Sequence, residues 1–224
     1  MTLYSDDLPR SFVIAKKVDT THMGKLVADM QRLLEAFACG ELPNERYTRK
    51  HLQDYCRSLI ENQRGELTWA SDSSRVKEGS FCVAPDAEGM GSDARVDFIM
   101  FPTYIAVALL TRFLLTYPEE AGAIPSFKEG LRLGMVFSSY QELRGHGYDS
   151  EREMFDALDI LKLGRVPEYL SRYPDACPEL AEVLRQVADQ ARDAIKTGKT
   201  KGGWNEDYSK EYHRALDILR DFLR

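Results

Sequence analysis

The sequence lacks most of the features that identify a protein's chemistry directly. Its four cysteines, Cys39, Cys56, Cys82 and Cys177, form no Cys-x-x-Cys pair, which disfavours a zinc ribbon or a dithiol redox motif. It has no block of five or more basic residues, and its formal net charge of -6 disfavours nucleic-acid binding. The glycine-rich nucleotide-binding motifs and the nucleophile elbow of hydrolases are also missing.

Signals for membrane insertion or secretion are equally sparse. Residues 1–10 lack the basic-then-apolar order of a signal peptide. The most apolar run, residues 98–115, has nearly the length of a membrane span, but Pro102 interrupts it and Arg112 lies inside it. We therefore expect no membrane partner, a cytoplasmic location and reduced cysteines.

Metal-ligand spacing is missing too. His22, His51 and His213 each lie in a helical segment without a second histidine or cysteine four residues away, so we expect no metal site and no other cofactor. What the chain does have is an ordinary globular composition, 43% hydrophobic and 29% charged, over 224 residues. That length can bury one sizeable core.

Apolar residues recur at helical spacing along most of the chain, which predicts an all-α fold. Short links between about eight helices predict antiparallel helical hairpins. The segment from Thr103 to Tyr117 is apolar nearly all round, so we expect it to be the central, buried helix. We interpret residues 1–224 as a single helical domain, with an N-terminal arm (1–18), a long irregular loop (64–97) and a C-terminal helix (206–223).

A helical segment ends three times in glycine, then an aromatic residue, then an aspartate. The three endings are Gly65, Trp69 and Asp72; Gly145, Tyr148 and Asp149; and Gly203, Trp204 and Asp207. Such self-similarity is typical of a stacked supersecondary unit. A structural role explains this motif, because glycine permits a sharp turn after a helix and the aromatic residue can pack at the hairpin base.

The stretch from Pro102 to Leu110, followed by a second helix and by Gln141, Gly145 and Tyr148, resembles one repeat of the α/α-toroid proteins. This group includes terpenoid cyclases and protein prenyltransferases. The resemblance covers residues 20–210 and implies a partial toroid, because the chain has fewer hairpins than a full ring. A dimer that completes the ring and an unrelated helical array are the alternatives.

Two polar clusters are candidates for a site. In the cyclases that the chain resembles, acidic residues at the start of an inner helix protonate the substrate, and Asp93 and Asp97 precede the segment that begins near Pro102. The same residues could equally cap that helix and pair with Arg95.

The second cluster runs from Arg144 to Asp149. Histidine transfers protons readily near neutral pH, Asp149 could orient His146, and Arg144 could hold a carboxylate or a phosphate. A tight turn between helices, with Asp149 as its N-cap, is the alternative interpretation.

These residues lead to one functional hypothesis and two alternatives. The first is that the chain binds or processes a small, partly apolar ligand in a pocket at one end of the helical array. Its expected catalytic residues are His146, Asp149 and Asp97, and its expected ligand-binding residues are Trp69, Asp93, Tyr104, Tyr140, Arg144 and Tyr148. The alternatives are a non-catalytic protein-interaction scaffold and a homodimer. Whether the chain is an enzyme stays open.

Overall fold

The computed structural model describes residues 20–40, 45–61, 63, 67–68, 75–76, 81, 101–139, 150–202 and 206–224. This part of the chain is mostly helical, which confirms the all-α prediction. The helices are α1 (Thr20–Cys39), α2 (Glu45–Glu61), α3 (Phe101–Thr116), α4 (Pro118–Gly122), α5 (Phe127–Ser139), α6 (Ser150–Leu163), α7 (Val166–Arg172), α8 (Pro178–Thr197) and α9 (Ser209–Leu219). A short 3-10 helix (Pro174–Ala176) precedes α8.

The described fold contains two elements that the sequence does not predict, a short strand pair and the helix α4. Within the predicted irregular loop, β1 (Leu67–Thr68) pairs antiparallel with β2 (Arg75–Val76). The predicted arm at residues 1–18 lies outside the described residues. The nine described helices exceed the expected number by one because of the short helix α4, which begins at Pro118. Proline is well tolerated at a helix start, where its missing N–H leaves no hydrogen bond unmade.

The last helix begins three residues later than expected, at Ser209 instead of residue 206. Residues 206–208 pair with the preceding loop. Lys201 and Asp207 form an isolated antiparallel bridge, and the N–H of Tyr208 donates to the carbonyl of Thr200 at 2.8 Å. The carbonyl of Glu206, which a helix that began at residue 206 would use for its own hydrogen bond, accepts from the N–H of Gly202 instead.

Helix α3 is the centre of the described fold, as its uniform apolar character predicts. It packs against α1, α2, α4, α5, α6 and α7. Every residue from Pro102 to Thr111 is buried, and Leu109 and Phe113 are fully enclosed. Burial of one such side chain contributes about 1.5–3 kcal/mol, so this helix supplies much of the hydrophobic stabilisation.

The turn after α6 comes unusually close to α3. A Cβ atom built on Gly164 would lie 2.5 Å from both the Cβ and the carbonyl oxygen of Ala108. Glycine is therefore required at this position for the chain to pass α3. The next residue, Arg165, adopts the left-handed conformation with φ 59° and ψ 31° before α7 begins.

Arg112, the one charged residue of α3, has a structural role. Its Nε and Nη2 donate to the carbonyls of Phe37 and Ala38 at the end of α1, and its Nη1 donates to the carbonyl of Leu163 at the end of α6. The last carbonyls of a helix lack partners within the helix and carry partial negative charge. One guanidinium therefore caps two helices that are distant in sequence.

Contacts between side chains also show the relative directions of several helices. Tyr104 lies beside Ser138, and Phe113 lies beside Phe127, so α3 and α5 are antiparallel. Helix α9 runs in the same direction as α6, because Phe155 packs on Tyr208 and Asp159 pairs with Arg214 further along both helices. The hairpin repeat and the toroid remain predictions.

Candidate functional site

A cluster of buried polar groups lies where α3 begins and α5 ends. The hydroxyl of Tyr104 donates to the carbonyl of Ser138 at 3.0 Å, and Tyr104 is only 1% exposed. The Oγ1 of Thr103 accepts a hydrogen bond from the N–H of Phe81 at 3.0 Å. Ser138 and Ser139 are buried as well, and their hydroxyls donate to carbonyls of their own helix. Every hydroxyl of this cluster is thus satisfied, as its burial requires.

A second cluster joins the start of α6 to the start of α9. The ring of Phe155 lies 5.7 Å from that of Tyr208 and 5.1 Å from that of Tyr212, measured between centroids. A Cβ atom on Gly202 would lie 3.0 Å from Cδ2 of Tyr208 and 3.2 Å from Oε2 of Glu151. The loop before α9 therefore rests directly on the first turn of α6.

This loop is closed by its own hydrogen bonds. Oδ1 of Asp207 accepts from the hydroxyl of Thr200 at 2.7 Å and from the N–H of Ser209 at 3.0 Å. The N–H of Gly202 donates to the carbonyl of Glu206 at 3.0 Å. Asp207 thereby ties the loop to the first turn of α9, where a free N–H needs an acceptor. The hydrogen bond from Thr200 lowers the pKa of Asp207, so its carboxylate stays charged.

The electrostatics of the second cluster reflect partial burial. Desolvation raises the pKa of Tyr212, and the nearby charge of Glu151 raises it further. Desolvation likewise raises the pKa of Asp159, against the opposing charge of Arg214, whose Nη2 lies 2.8 Å from Oδ1. Where α6 and α9 begin, the carboxylate of Glu151 acts on Tyr212, and the hydroxyl of Tyr208 donates to Oε2 of Glu206 at 3.0 Å.

Tyr104 is the one predicted site residue within the described part of the chain. The remaining predicted residues, Trp69, Asp93, Asp97, Tyr140, Arg144, His146, Tyr148 and Asp149, lie outside it. The chain connects them to the two clusters nevertheless. Tyr140 is bonded to Ser139 in the first cluster, and Asp149 is bonded to Ser150, the first residue of α6. The segment with the richest polar content thus links one cluster to the other.

Sequence reasoning missed three contributors to these clusters: Thr103, Glu151 and Phe155. The ring of Phe155 contacts those of Tyr208 and Tyr212, and the periodicity of apolar residues does not reveal such contacts between distant segments. Glu151 had a usable signal, because an acidic residue in the first turn of a helix often interacts with the free N–H groups there.

Three further observations on the described residues concern metal ligands, membrane-spanning helices and cysteines. In these ranges no group of three or more histidine, cysteine or acidic residues is arranged to hold a metal ion. None of the described helices is long and apolar enough to cross a membrane. Cys39, Cys56 and Cys177 are free thiols, and burial raises the pKa of Cys177 to about 12.

Comparisons of the chain with protein-family models, with curated proteins and with solved structures find no match.

Proposed function

We propose that the chain binds a small, partly apolar ligand at the end of the helical array where α3 begins and α5 ends. The hydrogen bond between Tyr104 and Ser138 carries this proposal, because it holds these two helix ends together. Two predicted polar segments, one before Phe101 and one after Ser139, are bonded to those ends. Tyr104, Thr103 and the neighbouring serines would form the inner wall of the site.

Covalent geometry limits how far the predicted residues can lie from these helix ends. Asp97 is four residues from Phe101, and His146 is four residues from Ser150. Four residues of fully extended chain span at most about 14 Å. A pocket that contains both side chains is compatible with this limit.

The proposed chemistry follows from the residue types. His146 would transfer a proton near neutral pH, and Asp149 would orient its ring. Arg144 would bind a carboxylate or phosphate of the ligand, while Trp69, Tyr140 and Tyr148 would contact its apolar part. Asp93 and Asp97 would take the place of the acidic residues of the cyclases that the sequence resembles. We place this activity in the cytoplasm.

A non-catalytic interaction scaffold is the alternative. It calls for an exposed apolar patch, and the C-terminal helix is the segment that the sequence favours for it. In the structure, Tyr208, Tyr212, Ala215 and Leu219 of that region are buried against α6 and α8. Because these four residues are buried, they form no exposed apolar patch. This favours the ligand-binding proposal over a scaffold that uses α9. A ring completed by a second copy is a further alternative, with dilution as its test.

Native mass spectrometry of the purified protein at several dilutions tests the proposal. We expect the wild type to retain a small molecule and the His146→Ala variant to lose it. His213→Ala is the matched control, because His213 is exposed on α9, where its ring contacts the carbonyl of Ser209. That variant should retain the molecule as the wild type does.

Each other outcome has a defined meaning. A wild-type protein that is a bare monomer at every dilution contradicts ligand binding and favours the scaffold. A bare dimer that survives dilution favours the completed ring. A retained molecule that is unaffected by His146→Ala places the ligand elsewhere and contradicts the proposed role of His146.

A further inference from the structure

We draw no further inference here: the strongest candidate, the cluster of aromatic and acidic side chains between the first turns of α6 and α9 (Glu151, Phe155, Tyr208 and Tyr212), carries none, because its rings pack directly against one another and nothing else in the described part of the chain points to a ligand that would bind there.

Discussion

The turn after α6 shows how one missing side chain determines packing. We predict that Gly164→Ala lowers the free energy of unfolding by about 1–3 kcal/mol, the usual cost of an overpacked contact. The new methyl group would overlap the backbone of Ala108 in α3, which is enclosed on all sides. Urea denaturation followed by circular dichroism measures the effect.

Gly122→Ala is the control for this prediction. No atom lies within 4 Å of a Cβ built on Gly122, and its φ is not in the left-handed region. Alanine is the better helix former, so this variant should be as stable as the wild type or slightly more stable. Equal losses in the two variants would show that the close approach to Ala108 is not the cause.

At the scale of elements, side chains of α3 differ in how much they contribute to stability. Truncation of a fully buried side chain should lower the free energy of unfolding more than truncation of one at the edge of the core. We predict that Leu109→Ala costs about 3 kcal/mol and Leu114→Ala clearly less. Leu109 is fully buried, whereas Leu114 is partly exposed at the edge of the core. Urea denaturation of both variants tests this, and similar losses would mean that α3 is not enclosed at Leu109.

The start of α9 depends on one carboxylate. We predict that Asp207→Ala accelerates hydrogen exchange of the amides in the first turn of α9, because Ser209 and Thr200 lose their shared acceptor. Asp207→Asn keeps an oxygen at that position and should exchange at nearly the wild-type rate. Unchanged exchange in Asp207→Ala would show that the loop is held by its backbone bonds alone.

How well the elements could be predicted depends on whether their signals are local. Pro102 favours a helix start through its own backbone preference, so the expected start near Pro102 agrees with the structure, where α3 begins at Phe101. The start of α9 was misplaced because residues 206–208 pair with residues 200–202, and periodicity does not encode that pairing.

Gln63 illustrates the same limit. Nε2 of Gln63 donates to the carbonyl of Gly130, inside α5. A Cβ atom on Gly130 would lie 2.9 Å from Oε1 of Gln63, so the small residue permits this contact. The contact joins residues 67 positions apart, so a local sequence pattern does not encode it.

At the scale of the whole molecule, one continuous core extends from Met30 in α1 to Leu219 in α9. We predict that the described helices unfold as one cooperative unit, since no boundary divides this core. In a urea titration, the methyl signals of Leu34 and Leu219 should disappear with the same midpoint. An earlier loss of the Leu34 signal would mean that α1 and α2 form a separate unit and that the single-domain interpretation is wrong.

The candidate site was less predictable than the fold. Tyr104 was chosen as a ligand contact from its place in a repeat, and the structure places it in the core with its hydroxyl bonded to Ser138. Glu151 and Phe155 gain their importance from loop residues about 50 positions away, such as Gly202. Contacts across that separation depend on tertiary packing, which a single sequence does not specify.

The two-helix cap made by Arg112 has a consequence for synthesis on the ribosome. The carbonyls of Phe37 and Ala38 emerge before Arg112, but the carbonyl of Leu163 emerges much later. A nascent chain that ends after α3 can make two of the three bonds. The final geometry of this junction must therefore wait for translation of α6, and α1 and α3 are exposed to chaperones until then.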